Sequence, residues 1–334
     1  MEEKQWRLGR RGKLLRPFCV RAGVAARGNS RRLQQVLVDF GAEESFARAA
    51  QRVQEHYGVG VAEGRVRQQT LTHGAQMSAL VVPPPSAPAQ TLITQMDGSL
   101  IPIVVPPESG ADRRKGKQLC WREARLCLAR EHKSASPCYG ATLGSVGVAG
   151  VLWRQTAQSA GLGARTQVHG VGDGAEWIAH QFTEQFADLG KYLVDFWHVS
   201  AYLGAAAAVI APPKAEAWRR RQQGRLLENK VDGVLRALVP HLEPETQAEA
   251  PVRAAHRYLQ GRRAQLDYAG ARAAGLPIGS GEIESGHRHV IQQRLKLAGA
   301  WWKQNHAEAM LGLRVARANQ LWNSYWTQPP LSKN

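Results

Sequence analysis

The sequence predicts a mixed α/β fold flanked by helical regions, and three observations lead there. Between residues 91 and 212, apolar runs of strand length alternate with segments of helical periodicity. Such alternation builds a sheet with helices packed on it. Ahead of that stretch lies an amphipathic helical region, closed by the stiff Pro-rich run at residues 83–90. After residue 212, residues 213–274 keep helical spacing and read as an all-helical insertion in the core.

Composition narrows the function classes. The 334 residues suffice for two or three domains with sizeable cores, and 43% of them are apolar. Lys and Arg number 44 against 27 Asp and Glu, a formal charge of +17. An excess of that size points first to nucleic acid and second to an anionic membrane surface. Arg outnumbers Lys, which favours bidentate contacts to phosphate. Cys19, Cys120, Cys127 and Cys138 form no CxxC pair, so zinc-finger spacing and a disulfide framework are both missing. Free thiols in a reducing cytoplasm are expected. The N-terminus lacks a signal-peptide apolar stretch, and no run approaches the ~18 apolar residues of a membrane span.

Taken in order, residues 1–35 are strongly basic and read as a phosphate-binding arm. From Ser45, apolar residues at Phe46, Ala49, Ala50, Val53 and Tyr57 mark one helix face, which Gly58 ends. A second helix near residues 62–73 would expose Arg65, Arg67, Gln68 and Gln69, side chains able to read base edges. The pair is a helix-turn-helix or an ordinary helical hairpin, and residues 1–82 form a DNA-binding region on the first reading.

The core opens with strands at 91–96 and 100–105 around an Asp97-Gly98 turn. Strands follow at 118–130, at 165–172 running into Asp173-Gly174, and at 191–196. Helices at 175–189 and 198–210 complete its first part, residues 91–212. After the insertion, residues 275–334 return to the core with a helix from Gly281 to before Gly299 and another over 306–322.

Asp97 and Asp173 each follow an apolar strand-like run and precede a Gly. That placement gives a carboxylate a rigid base and an open approach, although Asp-Gly alone also makes a good turn. Glu284 lies in the first turn of a helix whose N-cap would be Ser280, with His287 and Arg288 on the same face. Glu282 points elsewhere and suits the helix dipole. Three carboxylates without a Cys/His cluster indicate Mg²⁺ or Mn²⁺. Two such ions ~3.5–4 Å apart serve phosphoryl transfer. For Trp301 and Trp302, packing is favoured over stacking on bases.

The order strand-Asp, strand-Asp, helical insertion, helix-Glu resembles the DDE transposases with an RNase H-like core. Gly172-Asp-Gly-Ala-Glu-Trp-Ile178, Gly279-Ser-Gly-Glu-Ile-Glu284 and the Arg294-Leu-Lys296…Gly299…Trp302 run are similar to bacterial insertion-sequence transposases of the ISKra type, and so is Trp121-Arg-Glu-Ala-Arg125. Asp195-Phe-Trp-His198 resembles the C/D-x-x-H signature of the wider Mutator-like group. The resemblance spans roughly residues 44–320. It implies Asp97, Asp173 and Glu284 as ligands of two Mg²⁺ or Mn²⁺ ions and Asp195 and His198 as accessory. Arg288, Arg294 and Lys296 would be DNA contacts. The implied activity is cleavage at transposon ends followed by attack of the freed 3′-hydroxyls on target DNA. The implied partners are terminal inverted repeats, target DNA and further copies of the chain, in a prokaryotic cytoplasm at the nucleoid. Two rival readings are an RNase H-like nuclease or resolvase that does not join strands, and a DNA-binding derivative without catalysis.

Overall fold

In the computed structural model of the chain, residues 6–7, 9, 14–15, 17, 28–105 and 117–328 are described. Most of the basic arm read at residues 1–35 lies outside them. The helices α1 (Arg31–Glu43), α2 (Phe46–Tyr57) and α3 (Glu63–Met77) precede the strands β1 (Thr91–Val105), β2 (Gln118–Glu131) and β3 (Cys138–Thr142). Then come α4 (Val146–Ser159), β4 (Gln167–Gly172), α5 (Glu176–Phe186), β5 (Gly190–Val194) and α6 (Phe196–Ile210). The insertion supplies α7 (Ala215–Leu227), α8 (Val231–Leu238), α9 (Pro251–Gly261) and α10 (Tyr268–Ala273). The chain closes with α11 (Gly281–Gly286), a wide π-type turn at His287–Gln292, α12 (Gln304–Ala318) and α13 (Trp322–Thr327). No described helix is long and apolar enough to cross a membrane.

The chain divides into two compact units. The first gathers residues 1–80, 102–120 and 292–334, and the second residues 81–101 and 121–291. In the first, α1, α2 and α3 close around Val36, Leu37, Ala49, Val53 and Val66. Gly58 ends α2 in the left-handed region at φ 66°, as its position predicts. Residues 31–35, the end of the expected arm, are helical and open α1, whose buried residues Val36, Leu37 and Val38 follow them. The tail also departs from expectation. Helix α12 packs on α3, close enough that a Cβ on Gly74 would sit 2.4 Å from the Ala309 carbonyl oxygen. Residues 304–328 therefore complete the helical unit, because their apolar face is matched to α3.

Arg294, expected as a DNA contact, is a core residue with 2% of its surface exposed. Its Nε donates to the Gly41 carbonyl at 2.9 Å, and its guanidinium lies 4.6 Å from the Phe46 ring and 4.9 Å from the Trp302 ring. Burial lowers its pKa to about 10. Trp302 is held by a backbone bridge to the end of β1, with Val104 N donating to Trp302 O at 2.7 Å.

The second unit is built on the sheet β3-β2-β1-β4-β5. β1 and β4 pair in parallel, as do β4 and β5, while β2 and β3 are antiparallel. β1 is one continuous strand, not two strands around a turn at Asp97-Gly98. Ladder pairing overrides the local turn preference of that dipeptide. Trp153, Phe182, Phe186 and Tyr192 form an aromatic cluster against the sheet. In the insertion, Val234, Leu238, Val252 and Leu259 join the same core as Leu203 of α6. The Pro-rich run is docked too: Ala89 N donates to Gly161 O at 2.9 Å and Thr166 Oγ donates to Ala89 O at 2.7 Å.

His73, buried in the helical unit, has ring nitrogens 2.6 Å from the Tyr325 hydroxyl and 3.0 Å from Gln34 Oε1. Burial, and then the Arg31 guanidinium, bring its pKa from 6.5 to about 4. The unfolded chain thus binds the extra proton in that window, and stability rises with pH there. Urea unfolding midpoints should hold above pH 6.5 and fall as pH drops toward 4, with a shallower fall in His73→Gln.

Candidate active site beside the parallel strands

Register alone brings three aspartates together. Gln95 pairs with Val171 and Gly172 with Val194. Asp97 and Asp173 each lie two residues beyond the pair Gln95–Val171, and Asp173 and Asp195 one beyond Gly172–Val194, so the three stand at the same end of three neighbouring parallel strands.

The three carboxylates have different surroundings. Asp195, 3% exposed, accepts four hydrogen bonds. Oδ1 takes the amides of Trp197 (2.5 Å) and His198 (2.9 Å), capping α6. Oδ2 takes the amide (2.5 Å) and hydroxyl (2.6 Å) of Ser280. Asp195 is therefore a positioning residue rather than a reacting one. Ser280, expected as the N-cap of α11, instead commits its hydroxyl to Asp195 and makes no cap bond. Two further ties hold the same segment. The His169 ring Nε2 lies 2.8 Å from the Pro277 carbonyl, and Ile283 N donates to Gln95 Oε1 at 2.9 Å. Together these three contacts lay the start of α11 across β5, β4 and β1.

Asp173 Oδ1 accepts the Ala175 amide at 2.8 Å. Its turn needs glycine next: Gly174 sits at φ 78°, and a Cβ there would strike Tyr258 and Arg262. Those two residues reach in from α9 and its C-cap. The Tyr258 hydroxyl donates to the Asp173 carbonyl, and Arg262 Nε to the Gly174 carbonyl at 2.7 Å. Burial pushes the Tyr258 hydroxyl pKa up, keeping it a donor. His198 is exposed, with its ring 5.6 Å from Tyr202 and 5.8 Å from Tyr258. Neither Tyr258 nor Arg262 carries a signal in the sequence, and the Gly read as keeping the approach open lies against both of them.

Asp97 Oδ1 accepts the Gly98 amide at 2.7 Å, and Oδ2 lies 3.3 Å from His287 Nε2. His287 is 3% exposed, and neither ring nitrogen has a hydrogen bond. It thus turns inward from α11, while Glu284, three residues earlier, stays on the exposed side. Among the described residues the Glu284 carboxylate has no hydrogen bond or ion pair; its backbone N donates to the Ser280 carbonyl at 3.4 Å. Glu282 does point elsewhere, into a two-oxygen pair with Arg130. A further carboxylate, Glu123, lies against Gly98 and is tied to Arg125 at 2.6 Å.

The donor set suits a hard divalent cation in kind, since the carboxylates offer oxygen alone. Among the described residues, no three His, Cys, Asp or Glu side chains close on one point at metal-binding distance. The structure brings Asp97 and Asp173 into neighbouring register and leaves Glu284 outside a closed set. Of the expected DNA contacts, Arg67, Gln68, Arg288 and Lys296 are exposed, and Arg65 and Gln69 half-buried. Arg65 Nη1 donates to Gln68 Oε1 at 3.1 Å.

No family model matches the chain, and no curated protein does. Among solved structures it is similar to the Drosophila P element transposase strand transfer complex. Identity is 8% and the TM-score 0.34, over 92% of this chain and 83% of that one.

Replacing Asp195 by Ala strands four donors. We expect a loss of roughly 2–4 kcal/mol in unfolding free energy, together with faster amide exchange at Ser280, measured by hydrogen–deuterium exchange. Unchanged exchange at Ser280 would contradict the anchoring role.

Proposed function

We propose that the chain is a DNA transposase of the DDE type. On this reading Asp97, Asp173 and Glu284 bind divalent metal on an RNase H-like core, and the ISKra-type resemblance applies. The observation that carries it is the parallel register that sets Asp97 beside Asp173, with a Glu-bearing helix tied across the same strands. Mg²⁺ or Mn²⁺, two ions, would supply nucleophile activation and stabilisation of the leaving oxygen.

The chain's own residues supply the rest. The Tyr258 and Arg262 contacts fix the Asp173-Gly174 turn from the insertion side. The Asp195–Ser280 contact fixes the start of α11, the helix that carries Glu284. The excess of +17 draws the DNA backbone. Arg67 and Gln68, exposed near the start of α3, are the candidates for reading terminal-repeat bases, the reading of that region made from sequence. Synapsis of two ends implies an oligomer on DNA.

The test uses the full chain and labelled duplexes copied from the DNA flanking its gene. Asp97→Asn, Asp173→Asn and Glu284→Gln should each lower Mn²⁺-dependent cleavage by about 100-fold or more while DNA affinity stays within about twofold. Cleavage that persists in chelator would sink the metal assignment. A Glu284→Gln protein that cuts at the parental rate would remove Glu284 from the site. Cleavage without joining in a strand-transfer assay would leave a nuclease or resolvase, and binding without cleavage a DNA-binding derivative.

A further inference from the structure

The helical unit contains a groove of about 530 Å³ that the carboxylates do not line. That volume is in the range of pockets that take small ligands, ~300–1,000 Å³. Arg67, Lys117, Lys303 and His306 surround it, with Glu63 the lone carboxylate in its lining. Trp301 stands on its wall with 62% of its surface exposed, next to buried Trp302.

Two features of the groove call for a ligand. Arg294 lines it from below, 2% exposed, and its Nη2 has no hydrogen-bond partner. A buried cationic donor left unpaired is a costly arrangement that an incoming acceptor relieves. Independently, α12 begins at the groove without a side-chain cap. Its first turn holds no acidic residue, Lys303 is its N-cap residue, and His306 follows. Cations at a helix N-terminus oppose its dipole, and free amides there favour an anion. The pKa of His306 is accordingly lowered, by burial first and then by Lys303 and Arg67.

We propose that this groove binds one unpaired nucleotide of a single-stranded DNA segment. Its base stacks on Trp301, and its phosphate is held by Lys303, Arg67 and the free Nη2 of Arg294. Stacking on an exposed indole beside cations tracking the backbone is how unpaired strands are held. A base within a duplex has both faces covered and cannot offer one. The inference rests on the groove itself; only its setting in transposition rests on the proposed function. It is therefore tested by binding in chelator, where no cleavage contributes.

The experiment measures fluorescence anisotropy of a labelled oligothymidylate of about ten residues at one salt concentration. Trp301→Ala should weaken binding roughly tenfold and Trp301→Phe by no more than about threefold. Neither substitution should change affinity for a duplex or an abasic strand of the same length. Lys303→Gln should weaken all strands that carry phosphate, and serves as the second variant if Trp301→Ala fails to fold. Oligothymidylate affinity unchanged in Trp301→Ala overturns the proposal. So does an equal loss on duplex and abasic strands, which makes the face a general phosphate surface. Abasic strand binding as tightly as oligothymidylate, with competition by inorganic phosphate, also overturns it and leaves an anion site.

Discussion

The second unit depends on one buried ion. Asp195 follows β5 with both oxygens engaged by four donors, and no cation is paired with it among the described residues. A carboxylate at 3% exposure is tolerable because its charge is met by amide dipoles from the first turn of α6 and by Ser280. One oxygen starts a helix. The other holds a segment 85 residues further along the chain. The same side chain therefore sets where α6 begins and where α11 can lie, and Glu284 inherits its location from that choice.

Local patterning made much of this legible. The apolar runs before Asp173 and Asp195 are strands, the spacing from Phe46 to Tyr57 is a helix ended by Gly58, and residues 213–274 are helical. What sequence could not show is which partner each polar group would choose. Asp195 and Asp173 look alike in sequence, each closing an apolar run. Only pairing with Ser280 separates the structural carboxylate from the accessible one. The continuity of β1 through Asp97-Gly98 was likewise hidden, since the dipeptide favours a turn and only the ladder holds it straight. β3 and α4 went unread because Cys138–Thr142 is short and α4 opens on Gly-interrupted valines. α1 was hidden by its Arg and Gln residues.

Arg294 shows a different limit. In a chain with this charge an arginine near a lysine suggests a surface DNA contact, yet Arg294 is buried, with its guanidinium over the Phe46 and Trp302 rings, Nε bonded to the Gly41 carbonyl and Nη2 left unpaired. The guanidinium tolerates such burial because it is planar and weakly hydrated. Formal charge thus overstates what the surface offers, and the distribution of cations matters more than their sum.

The Asp195–Ser280 contact also bears on the order of folding. Between its two ends lie α6 and the whole insertion, so the bond closes a long loop. Closing it is slow while that loop is slack, and easy once α6 to α10 have condensed around Leu203, Leu238 and Leu259 and drawn their ends together. The insertion then acts as the clasp of its own loop. On this ordering the segment from Ser280 onward docks after α6 to α10 have condensed.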